Sequence, residues 1–311
     1  MILISRFNKA EDNNMPFITT NDDVKLYYEE AGSGTPIILA HEFGGDIRSW
    51  DLQFRHFARN YRVIGFNARG YPPSDVPEDE NHYGQHRATR DILDLLDALN
   101  IKKAHIVGLS MGGFATLHFG FNYPDRAMSL TIAGAGYGAH PDVHKQFSEE
   151  TKQVASRIEA DTMKKFGEVY ATGPTRVQFA NKDPHGWALF ANQLTDHSTV
   201  GSANTMRSVQ GRRPSLYDFA EEMQKLTIPT FIMNGDEDDP CLDVALFMKR
   251  NIHSSALVLL PRSGHLINLE EPALFNQLLG DFLVRVDAGR WEMRDERSIT
   301  SNILWTPDDK N

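Results

Sequence analysis

The chain has one cysteine, Cys241, in 311 residues. A single thiol can form neither an internal disulfide nor a cysteine-rich metal site, which fits a reducing, cytoplasmic setting; Cys241 itself reads as packing. Positive charge is scarce as well. Lys and Arg number 32 against 42 Asp and Glu, a formal net charge of −10. No basic stripe or arginine-rich arm stands out, so nucleic acid is not an expected partner. No apolar run approaches the ~20 residues needed to span a membrane. Residues 1–14 start apolar but soon turn polar and acidic, without a signal-peptide core or cleavage pattern; they read as a flexible leader, with Met15 as an alternative start. Motifs for bound groups are also missing. His41-Glu42 lacks a second histidine one helical turn on, and Gly108 to Gly113 carries no phosphate-binding lysine, so neither a metal nor a cofactor is expected.

What the chain does have is AHIVGLSMGGFATLHFG, residues 104–120, where two hydrophobic patterns meet. Ala104 to Val107 is short, apolar and partly β-branched, which suits a buried strand. Phe114, Leu117, His118 and Phe121 then recur at helical steps, and Asn122-Tyr123-Pro124 stops the helix. Ser110 therefore sits on a strand-to-helix turn. Gly108 and Gly112 supply flanks without a Cβ, and the turn pushes one hydroxyl into the open beside the N-terminal amides of a helix. Bare G-x-S-x-G is a weak pattern; the strand before it and the helix after it make it a nucleophile's position.

Other short apolar strands keep a rhythm: a hairpin from Phe17 through VKLYYEE, then Ile37 to Ala40, Arg62 to Phe66, Ser129 to Ala133, Thr230 to Met233 and Ala256 to Leu260. Helical stretches lie between several of them, most clearly Asp91 to Leu99. Alternating strands and helices imply an α/β fold with a mostly parallel sheet covered on both faces. Residues 137–226 break the rhythm. They read as helices and polar loops with scattered aromatics, a helical cap inserted into a core of residues 15–136 and 227–286. Residues 287–311, with Trp291 and Trp305, read as an extension packed on the core or on a second copy of the chain, so a homo-oligomer stays open.

A serine hydroxyl is a poor nucleophile at neutral pH unless a base takes its proton and a third group orients the base. Of the 12 histidines, His265 fits best, on a loop after a late apolar strand, with Gly264 freeing the turn. His105 and His118 read as satisfied core or surface residues. For the orienting carboxylate, NGDEDDP offers Asp236, Asp238 and Asp239.

With these motifs the sequence resembles the α/β-hydrolase superfamily, from about Phe17 to Phe282 outside the cap. The order Ser110, Asp, His265 is that of the superfamily. The acid there commonly lies three residues beyond a strand-end glycine, which from Gly235 implies Asp238, with Asp239 second. AHEFGG stands where family members carry a His-Gly-x motif, and the resemblance implies an oxyanion hole from the Phe43 and Met111 amides. Two departures are evident. Glu42 replaces the usual glycine, and a carboxylate there must pair or point away. FNARGYPPSD, residues 66–75, resembles the strand-end Asp-x-Arg-Gly-x-Gly-x-Ser loop with Asn67 in place of the acid, and Arg69 is expected to tie neighbouring loops together.

The expected activity is cofactor-independent hydrolysis of a carboxylic ester or related acyl compound, with a small apolar acyl or aryl substrate as partner. Serine at 110 argues against the haloalkane dehalogenases and epoxide hydrolases of this fold, which use a carboxylate nucleophile. Cleavage of a carbon–carbon bond, or peracid formation as in cofactor-free haloperoxidases, would use the same residues. A ligand receptor on a hydrolase scaffold is the alternative of another class. Glu42, Trp187 and Met206 are candidate substrate contacts. Arg207, Arg212 and Arg213 could recognise a substrate carboxylate but read first as solvent-facing charge.

Overall fold

The computed structural model describes residues 16–299 and Ile303. The leader and Trp305 lie outside them. Eight strands form one sheet: β1 (Phe17–Thr19), β2 (Lys25–Ala31), β3 (Pro36–Ala40), β4 (Arg62–Phe66), β5 (Ala104–Leu109), β6 (Ala127–Ala133), β7 (Thr230–Gly235) and β8 (Ser255–Leu260). Their order is β1-β2-β4-β3-β5-β6-β7-β8. β1 and β2 pair antiparallel, as does β2 with β4. Every later pairing is parallel.

Both faces of the central strands are covered, which is why they read as continuous apolar runs. Ile38, Ala40 and Ile106 pack to one side with Leu95, Leu96, Phe114 and Leu117 of the helices Gln85–Ala98 and Met111–Asn122. Ile37, Leu39 and Val107 point to the other, against Phe275 and Leu279 of Pro272–Asp287. That second cluster continues into the insertion between β6 and β7 through Phe166, Phe179, Phe190 and Met206. One contiguous apolar body thus joins the sheet to the inserted helices. The first of these, Pro141–Tyr170, breaks at Thr162, whose φ is 59°. At the other end, Trp291 stacks edge-on against Phe282 at 4.6 Å and its indole donates to the Ser254 carbonyl, so this part of the C-terminal segment packs on the core.

The loop that replaces the family acid with Asn67 is held by neutral bonds. Asn67 accepts from the Ile47 amide and donates to the Pro72 carbonyl. Arg69 does tie loops together: it reaches Asp22, Asp91 and the His82 carbonyl.

His105 is a satisfied core residue, between Ser129 at 2.7 Å and Asp287 at 3.0 Å. His118 is not. It is buried against Phe219 and Phe121, and its Nε2 has no partner among the described residues. Burial, with a smaller contribution from Arg213, lowers its pKa from 6.5 to about 4. The unfolded chain therefore takes up a proton near pH 6.5 that the folded protein refuses until about pH 4. Stability falls as pH drops through that window. At ~1.4 kcal/mol per unit, His118 alone accounts for a loss of about 3–4 kcal/mol. Urea unfolding across this range should show a pH slope that flattens in His118→Phe. An unchanged slope would mean that other groups carry the acid sensitivity.

Candidate active site

Parallel strands end on the same edge, so the loops that follow them converge there. β3, β5, β7 and β8 deliver in turn Glu42-Phe43, Ser110, Asp238 and His265. Register keeps their ends level: Ala40 pairs Gly108, Leu109 pairs Ala133, and Gly235 pairs Leu260.

Ser110 occupies the turn between β5 and Met111–Asn122 with φ 53° and ψ −111°, backbone angles that a non-glycine residue rarely adopts. Its amide donates to the Ala133 carbonyl at 2.7 Å, and its carbonyl accepts from Phe114 at 3.0 Å. The flanks tolerate no side chain. A Cβ on Gly108 would lie 2.1 Å from the Gly112 carbonyl oxygen, and one on Gly112 would lie 2.1 Å from that of Ala40. Met111 opens the helix, so its amide has no intrahelical acceptor. Its side chain packs with Tyr71, Tyr83 and Val209.

Among the three aspartates, burial makes the distinction. Asp236 and Asp239 are exposed, whereas Asp238 is 2% exposed and its Oδ2 lies 2.7 Å from His265 Nδ1. Burial alone would raise the Asp238 pKa; the charge and hydrogen bond of His265, aided by Cys241, bring it below the ordinary value. Cys241 is fully buried, and burial raises its thiol well above the usual range, leaving it protonated at neutral pH. One ligand-type atom from each of Asp238, Cys241 and His265 falls within 4.8 Å of the others, and the Asp238–His265 bond already engages two of the three residues.

The His265 loop is braced by residues that the sequence did not single out. Both oxygens of buried Glu270 accept backbone bonds on either side of the histidine, from Gly264 at 2.7 Å and Leu266 at 2.9 Å. Asp236 accepts from the Ser263 amide, and Glu237 donates its amide to the Ser263 carbonyl, fastening the acid loop to the histidine loop. In the sequence Glu270 is one of two adjacent glutamates after the histidine, and nothing local marks it as the one that is buried.

Glu42 does pair. Its Oε2 lies 2.7 Å from Arg176 Nη2, and both residues are 1% exposed. Arg176 comes from the insertion and also faces the Tyr170 and Phe190 rings. Phe43 is buried beside Tyr170, and its carbonyl accepts from the Tyr71 hydroxyl.

Ser110, His265 and Phe43 line a cavity of about 310 Å³ whose other walls include Phe147, Val154, Phe166 and Met206 from the insertion. Most of these walls are apolar. Trp187 is not among them; its indole donates to the Ala171 carbonyl and, half-buried, it packs against the core. Glu42 is absent too; its carboxylate is engaged by Arg176. Of the three arginines read as solvent-facing, Arg212 is half-exposed and pairs with Glu80, and Arg207 bonds Glu159. Arg213 corrects that reading: it is 4% exposed and lines the cavity, because the turn before Pro214 folds it inward over the Phe114 ring, 3.6 Å from the centroid. A larger cleft of about 470 Å³, bordered by Gly84, His118 and Arg212, shares none of the strand-end residues.

Known proteins offer an independent comparison. A family model described as the alpha/beta hydrolase fold matches residues 35–272. A 3-oxoadipate enol-lactonase of Acinetobacter baylyi is 29% identical over 79% of the chain and 88% of its own length. A 2-hydroxy-6-oxo-6-phenylhexa-2,4-dienoate hydrolase of Burkholderia cepacia is 27% identical over 88% of the chain and 98% of its own. Among solved structures, an esterase from Thermogutta terrifontis superposes with a TM-score of 0.76 at 25% identity, covering 87% of this chain and 98% of that one.

Proposed function

The chain belongs to the alpha/beta hydrolase fold family, and from that premise we propose that it is a serine hydrolase acting on a carboxylic ester or related acyl compound. The observation that carries this reading is the 2.7 Å Asp238–His265 bond beside the cavity into which Ser110 is turned. With Nδ1 facing the carboxylate, Nε2 of His265 is the ring nitrogen left to take a proton. His265 removes the Ser110 proton as the hydroxyl oxygen attacks the carbonyl carbon. The carbonyl electron pair moves onto oxygen, and the Phe43 and Met111 amides hold that oxyanion. Collapse expels the leaving group, which takes the proton from His265. Water, deprotonated by the same histidine, then releases the acid from the acyl-enzyme. Asp238 keeps the imidazole oriented and steadies its charge. The inserted helices form the cap that selects the acyl group through Phe147, Val154, Phe166 and Met206.

The relatives are an enol-lactonase and a 2-hydroxy-6-oxo-6-phenylhexa-2,4-dienoate hydrolase, which supports a carbonyl-directed hydrolase. Lactones and 2-hydroxy-6-oxodienoates therefore belong beside simple esters in a substrate panel. The test is intact mass after exposure to a fluorophosphonate, with turnover of p-nitrophenyl esters and of that panel. One adduct, mapped to Ser110, together with multiple turnovers is the expected result. Absence of any adduct would overturn the activated serine; labelling with only a single slow turnover would favour a receptor.

A further inference from the structure

Arg213 is a cation in the wall of this cavity with no counter-ion. Of its five N–H donors, two meet neutral acceptors, the Gln210 side-chain oxygen and the Tyr137 carbonyl. No carboxylate among the described residues pairs with it. This contrasts with Arg176, which is equally buried but carries Glu42. It also contrasts with Arg69, placed between two aspartates. Sequestering an unpaired charge is costly, and Arg213 is compensated in part by the faces of Phe114 and Phe147, at 3.6 and 5.2 Å. Desolvation brings its pKa to about 9, which leaves it charged at neutral pH. A planar guanidinium fork, held over a ring and opening on a cavity, is shaped for a carboxylate.

We propose that Arg213 binds a carboxylate carried by the substrate, so that the preferred compounds are acyl esters or lactones bearing a second, anionic end. This deepens the hydrolase reading and rests on it for the identity of the reacting end. The carboxylate enters the desolvated wall, completes the charge left open there and fixes how far the acyl carbonyl lies from Ser110. Apolar residues of the same wall, Met206 among them, accept the connecting chain. Arg157 also lines the cavity. Its guanidinium is largely exposed and bonds Asp161, so it is already compensated.

The experiment is calorimetric binding to the Ser110→Ala protein, which separates recognition from turnover. The half-methyl esters of succinic, glutaric and adipic acids are compared with the corresponding dimethyl esters. At least one half-ester should bind roughly tenfold or more tightly than its diester, the size of one charge-assisted contact. Arg213→Gln should erase that ratio, Arg213→Lys should retain part of it, and Arg157→Gln should leave it standing. Equal affinity of every half-ester and diester overturns the proposal, as does a preference that survives in Arg213→Gln or vanishes in Arg157→Gln. Should Arg213→Gln not fold, the half-ester ratio and the lysine variant still decide. Failure of Ser110 to label, with half-ester binding intact, would sink the hydrolase mechanism and leave the carboxylate site in place.

Discussion

Ser110→Ala should lower kcat/KM for the best ester by about 10⁴- to 10⁶-fold, with little change in KM. The effect is large because the hydroxyl oxygen is the atom that forms the bond, and no neighbouring side chain among the described residues can replace it. Cys241 is buried beside Asp238 with its thiol held protonated. The strained turn adds a second expectation. Replacing serine removes the nucleophile without filling the turn or touching Gly108 and Gly112, so the variant should fold with native secondary structure. Residues that act as a unit are not additive. Ser110→Ala combined with His265→Ala should be no slower than Ser110→Ala alone, because the base has nothing left to activate. Steady-state kinetics on the two single variants and the double variant make the check. Retention of activity within tenfold in Ser110→Ala, or losses that multiply in the double variant, would remove Ser110 and His265 from a common mechanism.

The largest effect on stability is expected at Arg176. Arg176→Met leaves the Glu42 carboxylate buried without its partner, a situation that typically costs ~3–5 kcal/mol. The local geometry argues for the upper part of that range. Among the described residues Glu42 Oε1 already has no hydrogen-bond partner, and Oε2 relies on Arg176 Nη2 alone. Glu42→Leu combined with Arg176→Met removes both charges and should recover most of the loss, since apolar replacement of a complete buried pair is often near neutral. Denaturant unfolding of the native protein, the two single variants and the double variant measures the coupling directly. A loss below about 1 kcal/mol in Arg176→Met would mean that the pair is solvated or replaceable. Activity adds a readout that stability cannot. Glu42 adjoins Phe43, so an uncompensated carboxylate there opposes an oxyanion on the Phe43 amide. Arg176→Met should therefore lower kcat more than the double variant does.

The sheet was legible because its strands are buried on both faces. Short β-branched runs such as Ile37 to Ala40 can be little else when turns and amphipathic helices separate them. Ser110 was legible for a related reason. Two glycines at that spacing answer to backbone packed so close that a Cβ on either would lie 2.1 Å from a carbonyl oxygen, so the constraint is written into a few neighbouring residues. Among the acids, spacing pointed to Asp238 through a family likeness, yet composition alone left Asp236 and Asp239 open. Burial distinguishes them, and burial depends on what packs from elsewhere in the chain.

Local sequence thus determined the elements, the strained serine and the short list of partners, because each depends on the backbone conformation of a few neighbouring residues. The tertiary structure alone decided the rest. It paired Glu42 with Arg176 across 134 positions, set Glu270 behind His265, kept Trp187 out of the cavity and turned Arg213 into it. Each of these outcomes is a matter of which charge or ring meets which partner when distant segments exclude water together. In a chain with 32 basic and 42 acidic side chains, no local pattern says which ones will be shut in and which left to the solvent.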